Sequence, residues 1–160
     1  MTLVYVLSGP NLDRLGLAAD GPDGPDGPGA YAALVRLCQD TAEALGLRAV
    51  VLRTESEAEL VGWLHRVAAE RAPLVLNPAA LTHCSYPVRD ALALRRSPAV
   101  EVHLCNPYAR EPFRRISVLS DVVDGTVTGL GPDSYRLGLH AVARLAGAGA
   151  PHQERQGASA

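Results

Sequence analysis

Five short apolar runs punctuate the chain, and each is ended by polar or turn-forming residues. They are Leu3–Leu7, Ala49–Leu52, Leu74–Leu76, Val100–Leu104 and Thr126–Leu130. The first stops at Ser8-Gly9-Pro10, and the last is bracketed by Gly125 and Gly131. Runs this short and nearly unbroken fit strands buried on both faces. Between them, apolar residues recur at helical spacing. Tyr31–Leu45 carries Leu34, Leu37, Cys38 and Ala42 and meets Gly46 as a stop. Over Ser56–Glu70, Leu60, Trp63, Leu64, Val67 and Ala68 share one face, and Ser56 with Glu59 spells a capping box. Tyr86–Leu94 and Pro132–Ala146 predict two further helices, with Pro132 suited to a first turn and Asp133 to the helix dipole. Strand–helix alternation of this kind predicts a parallel sheet covered by helices on both faces. Five strands in about 130 residues point to the flavodoxin-like, doubly wound α/β class.

Two segments break the alternation. Gly21–Gly29 is a Gly-Pro-Asp repeat that cannot hold regular structure. Ligands in doubly wound folds bind beyond the carboxyl ends of strands. A loop over residues 17–30, following the first strand, would hang over that edge as a mobile lid, or it is a solvent-exposed insertion without a role. Residues 147–160 are small and polar and read as a flexible tail, leaving a single domain over residues 1–146.

Composition narrows the chemistry. The 160 residues are 48% apolar and 20% charged, which is ordinary for a globular chain. Net charge is −2, with no basic stripe of the sort a phosphate-gripping nucleic-acid binder shows. All fifteen basic residues are Arg. Without Lys there is no Schiff base and no P-loop lysine. Cys38, Cys84 and Cys105 match no zinc spacing, and their odd number argues against a disulfide framework. Met1 leads almost directly into a short apolar run, so no signal peptide is expected, and no apolar stretch reaches the roughly 20 residues that span a bilayer. The expected setting is a reducing cytoplasm.

Polar residues gather where the strands end. Ser8-Gly9-Pro10-Asn11 follows the first strand, and Asn77 through Ser85 (NPAALTHCS) follows the third. Along the fourth, alternation puts Glu101, His103 and Cys105 on one face and Val102 and Leu104 on the other. Tyr108, Arg110, Arg114 and Arg115 come next. Converging Asn, His and Arg side chains suit a polyhydroxylated, anionic small molecule, with His as an acid or base near neutral pH. Plainer readings stand beside these. His103 could be a satisfied core histidine, Asn11 and Asn77 could cap the next helices, and Arg110 and Arg115 could be surface salt-bridge partners. Cys105 reads as a small buried residue rather than a nucleophile. No G-x-G-x-x-G follows the first strand, so a dinucleotide fingerprint is missing.

Taken together and in order, these segments resemble the type II dehydroquinases (3-dehydroquinate dehydratases). The matching stretches are Ser8–Gly16 (SGPNLDRLG), Ser56-Glu57, Leu76–His83 (LNPAALTH) and Arg89-Asp90. They continue with Glu101–Asn106 (EVHLCN), Ala109–Arg115 (AREPFRR) and Gly129–Gly131. The resemblance implies elimination of water from a cyclic keto acid through an enolate, with no metal or cofactor. It makes His103 the general acid for the departing hydroxyl, Glu101 the residue that orients His103, and Asn11 the holder of an enolate-stabilising water. Asn77, His83 and Arg114 would bind the ring hydroxyls and carboxylate region, and the backbone amides of Leu104 and Cys105 the carboxylate. Asp90 would reach the site of a neighbouring subunit in a dodecamer built from trimers. Cys105 stands where a Ser hydroxyl is usual.

The first loop departs from the pattern. The family's lid carries an Arg and a Tyr, the activator and the base that takes the proton beside the ketone. Here Leu17-Ala18-Ala19-Asp20 runs into the Gly-Pro-Asp repeat, and the loop is about three residues longer than the family's. Arg14 matches a non-catalytic position, and Tyr31 begins the helix. Only Asp20, Asp23 and Asp26 could supply a base from this loop, and a carboxylate with pKa near 4 is weaker than a tyrosinate. A general base contributes about 10²–10⁴-fold, so turnover of 3-dehydroquinate is expected to be very weak. Three readings compete: a dehydratase with a substitute base, a relative acting on another small molecule in a specialised pathway, and a silent binding homologue.

Overall fold

Nine regular elements follow one another in the computed structural model, which describes residues 1–12 and 29–147. They are β1 (Thr2–Ser8), α1 (Gly29–Ala44), β2 (Leu47–Arg53), α2 (Glu57–Glu70), β3 (Leu74–Asn77), α3 (Tyr86–Ala93), β4 (Ala99–His103), β5 (Gly125–Thr128) and α4 (Asp133–Gly147). All strand pairs are parallel, in the order β2-β1-β3-β4-β5. That is the flavodoxin-like order, as the apolar pattern predicts. The first helix starts at Gly29 rather than Tyr31, so two residues expected in the loop are helical. The rest of that loop and the tail beyond Gly147 lie outside the described residues.

Alternation along the strands builds a core on each side of the sheet. Val4 and Val6 of β1, Val75 of β3 and Val100 and Val102 of β4 join Leu34 and Cys38 of α1 and Tyr135, Leu139 and Val142 of α4. Tyr5, Leu7, Leu74 and Leu76 face the other way, against Leu60, Leu64 and Val67 of α2 and Val88 and Leu92 of α3. The sheet therefore lies between two pairs of helices. Gly138 lets α4 press on it, since a Cβ there would stand 2.7 Å from Val102 Cγ1.

One local expectation is half right. Ser56 caps α2, its Oγ accepting from Glu59 N at 3.2 Å. The return arm of the capping box does not form. Ser56 N donates to Thr54 Oγ1 instead, at 2.9 Å, and Thr54 Oγ1 donates to the Glu59 carboxylate. A nearer hydroxyl has taken the donor that the box would have satisfied. Among the described residues no helix is long and apolar enough to cross a membrane.

Candidate active site

The strand order reverses at β1, and the crevice lies at the carboxyl ends of β1, β3 and β4. A pocket there is lined by Pro10, Asn11 and Leu12 after β1, by Asn77, Ala79, Ala80 and His83 after β3, and by His103, Leu104 and Cys105 at β4. Pro107, Arg110 and Arg114 complete the wall. The first two loops touch. Gly9 N donates to Asn77 O at 2.8 Å, and a Cβ on Gly9 would sit 2.7 Å from Pro78 O. Only glycine permits that approach.

His103, at the last position of β4, is paired with the strand residue two before it. Its Nε2 lies 2.7 Å from Glu101 Oε1, and the Glu101 side chain is 1% exposed. Thr82 Oγ1 donates to the same carboxylate oxygen and is 2.8 Å from Ser117 Oγ. An ionised carboxylate only accepts, so His103 Nε2–H donates to it and Nδ1 is the nitrogen left for a ligand. Nδ1 can deliver a proton when the ring is charged and receive one when it is neutral. Glu101 Oε2 is buried and has no hydrogen-bond partner among the described residues.

Asn77 is held at both ends of its amide. Nδ2 donates to Tyr135 OH at 2.8 Å, and Oδ1 accepts from Ala79 N at 3.0 Å. The phenol proton is thereby left for Ser8 Oγ, 2.9 Å away. Burial pushes the Tyr135 phenol well above its ordinary value, while the Ser8 and Asn77 hydrogen bonds pull the other way. It stays neutral at any working pH. Asn77 thus takes the first backbone N–H of the 3-10 segment Ala79–His83, whose N-cap position is Pro78, while also lining the pocket. Ala79 (φ 53°) and Asn11 (φ 63°) both occupy the left-handed region.

The basic wall is organised by Glu111. Its carboxylate lies 2.7 Å from Arg114 Nε and 3.7 Å from Arg110 Nε. A hydrogen bond from its own backbone N–H, then that from Arg114, holds the Glu111 carboxyl below its ordinary value. With Nε engaged, the terminal nitrogens of Arg114 remain for an anion. The guanidinium also stacks on Phe113, 4.7 Å from the ring centre. The edge of His83 meets the same ring, centroids 5.7 Å apart. His83 Nδ1 lies 2.6 Å from Ile116 O. It is therefore the donor there, which leaves Nε2 for a ligand.

Most sequence candidates therefore converge: Asn11, Asn77, His83, His103, Leu104, Cys105 and Arg114 line one pocket, with Glu101 behind His103. Three expectations need correction. Cys105 is exposed, not buried; β4 ends at His103, so strand alternation no longer governs it. Arg115 makes no ion pair among the described residues, because Glu111 is taken by its neighbours. Tyr31 is the third residue of α1 rather than its first, with Arg53 stacked 4.3 Å from its ring centre. Asp90 is exposed on α3 and does not line this pocket. Its neighbour Arg89 ties α3 to the following loop through Asp121 and Val118 O. Reading the sequence missed Thr82, Ser117 and Tyr135. Thr82 sits inside the motif already noticed, whereas Tyr135 reads only as an apolar position of a helix. No three His, Cys, Asp or Glu side chains among the described residues converge to hold a metal.

Comparison with known proteins bears on what such a pocket does. Residues 2–143 match the family model described as dehydroquinase class II. A 3-dehydroquinate dehydratase of Salinispora tropica is 54% identical over 143 residues, covering 89% of this chain and 98% of its own. One from Mycobacterium avium is 44% identical over 141 residues, covering 88% and 96%. The crystal structure of a type II dehydroquinase from Propionibacterium acnes superposes with a TM-score of 0.79 at 38% identity, covering 89% of this chain and 98% of that one.

Proposed function

The chain belongs to the class II dehydroquinase family, and from that premise we propose that it is a lyase removing water from 3-dehydroquinate or a close cyclic keto acid. The observation that carries this reading is the His103–Glu101–Thr82 chain at a pocket that Arg114 also lines. Loss of a hydroxide from a saturated carbon is slow, and protonating the departing oxygen as the bond breaks lowers that barrier. His103 holds the proton at Nδ1 and gives it to the hydroxyl, which leaves as water. The Glu101 carboxylate steadies the imidazolium beforehand. The electron pair comes from the enolate formed when the carbon beside the ketone loses its proton. Asn11 holds the water that stabilises the enolate oxygen. Arg114, His83, Asn77 and the backbone amides of Leu104 and Cys105 grip carboxylate and hydroxyls. The base comes from the acidic loop, among Asp20, Asp23 and Asp26. No cofactor enters this scheme.

Asp90 is exposed and away from its own pocket, which fits a role in a neighbour's site within a dodecamer of trimers. We assign the protein to the cytoplasm. The loop without Arg or Tyr favours a second reading, in which the same pocket serves another hydroxylated cyclic acid of a specialised pathway.

Incubation with 3-dehydroquinate tests the choice. The product is a conjugated enone acid, followed by its ultraviolet absorbance. We expect slow turnover, abolished in His103→Ala and retained in Asp90→Asn only if Asp90 serves no site. No product from the wild-type protein would overturn the first reading in favour of the second.

A further inference from the structure

Asn11 lines the pocket in a left-handed conformation, with φ 63°. Such a residue needs something to hold it, because extended and helical alternatives are open to Asn. Its backbone N–H points not at the sheet but at Glu55, which lies 44 positions away on the loop after β2. The distances are 3.0 Å to Oε2 and 3.2 Å to Oε1, so one donor is shared between both carboxylate oxygens. Charge-assisted bonds to backbone N–H groups are stronger than neutral ones.

The mount of Glu55 is rigid. Thr54 is buried and its N–H donates to Ser8 O at 3.0 Å, extending the β1–β2 ladder by one step. Ser56 is tied to Thr54 Oγ1 and caps α2. Glu55 therefore stands between two fixed residues, with only its side chain reaching across to the β1 loop. We propose that Glu55 is a positioning residue: its carboxylate grips the Asn11 amide, fixes the left-handed turn there, and so aims the Asn11 side chain into the pocket. For its consequence in turnover this rests on the reading above, in which Asn11 serves the enolate. Asn11 would then move out of line without Glu55, and an error near 1 Å in a catalytic group costs up to about 100-fold.

The test compares wild type, Glu55→Ala and Glu55→Gln by ¹H–¹⁵N spectra and by kinetics with 3-dehydroquinate. Glu55→Ala should move the Asn11 amide proton upfield, and Glu55→Gln, which keeps a carbonyl acceptor, should restore most of the wild-type position. In the kinetics, Glu55→Ala should lower kcat about 5- to 50-fold with KM within about twofold, and Glu55→Gln should recover much of kcat. A purely structural contact would not split kcat from KM in this way. Glu55→Met, similar in shape but without an acceptor, replaces the Ala variant if that one fails to fold. An unmoved Asn11 amide in the acceptor-free variant overturns the proposal, as does an unchanged kcat in an active protein. If the wild type does not turn over 3-dehydroquinate, it is the reaction assignment that fails, and the amide resonance alone decides the role of Glu55.

Discussion

Deleting a single buried oxygen tests how the pocket floor is held. Tyr135→Phe removes the hydroxyl that accepts from Asn77 Nδ2 at 2.8 Å and lies 2.9 Å from Ser8 Oγ. Tyr135, Ser8 and Asn77 are 0%, 1% and 5% exposed, so water does not readily replace the lost partner. Each buried polar group left unpaired costs about 1–3 kcal/mol. The Ser8 hydroxyl can rotate and recover part of its share, so we expect a loss of about 2–4 kcal/mol in all. That is a large part of an ordinary stability of about 5–15 kcal/mol. Urea unfolding should show a lower midpoint at constant slope, and Tm should fall by about 5–15 °C.

The same variant carries a pH signature. The folded-state value of the Tyr135 phenol is raised above its ordinary 10.0, chiefly by burial. The unfolded chain therefore releases this proton first as pH rises. The phenol's contribution is complete below about pH 10 and is lost progressively above it. Cys38, pushed up to about 12 by burial, imposes a similar decline that begins near its ordinary 9.0. Cys38 is present in both proteins, so the difference between their pH–stability curves isolates Tyr135. The wild type should lose stability faster than Tyr135→Phe above pH 10. A stability change under about 0.5 kcal/mol, the range of an ordinary surface substitution, together with superimposable alkaline curves, would refute the hydrogen-bond argument.

Two further outcomes follow from the same geometry. Gly9→Ala should lower kcat/KM by about 100-fold or more while circular dichroism stays native, because its Cβ would meet Pro78 O at 2.7 Å and drive the β1 and β3 loops apart; full activity in a folded variant would contradict this. A thiol reagent near neutral pH should add two labels to the native chain, at exposed Cys84 and Cys105, and a third only after denaturation, because Cys38 is 0% exposed and its thiol is raised to about 12. Substrate should protect Cys105, which lines the pocket, and a native third label in mass spectrometry would sink the assignment.

The sheet was legible because its strands coincide with short, mostly apolar runs bounded by polar or turn-forming residues. Leu3–Leu7 and Leu74–Leu76 carry apolar side chains on both faces, which calls for helices above and below. The pocket residues were legible for a related reason. Asn11, Asn77 and His103 stand where an apolar run gives way to polar side chains, and a parallel sheet brings such endings to one edge. What could not be read is contact across long sequence separation. Tyr135 lies 58 positions from Asn77, on a helix whose pattern explains it fully as core. The failed arm of the capping box is a smaller case of the same thing. Thr54 lies outside the four-residue motif, yet it captures the donor. Free Cys is among the most buried residue types, which is why Cys105 reads as buried, yet β4 ends at His103 and leaves it exposed at the pocket.

The two left-handed pocket residues show why the aim of the site had to be seen rather than inferred. Asparagine tolerates that conformation and alanine does so poorly, so nothing in the letters Asn11 and Ala79 predicts it. In each case the backbone N–H of the turned residue is taken by a side-chain oxygen: Glu55 for Asn11, Asn77 Oδ1 for Ala79. A strained φ of this kind costs about 1–3 kcal/mol and persists only where surrounding bonds over-determine it. One hydrogen bond with a net worth near 1 kcal/mol offsets a large part of that cost. Removing the acceptor therefore releases the turn toward ordinary backbone conformations rather than merely weakening a contact. The strand ends set where the functional side chains start. The acceptors on neighbouring loops set where those side chains point, and turnover is the property most sensitive to that direction.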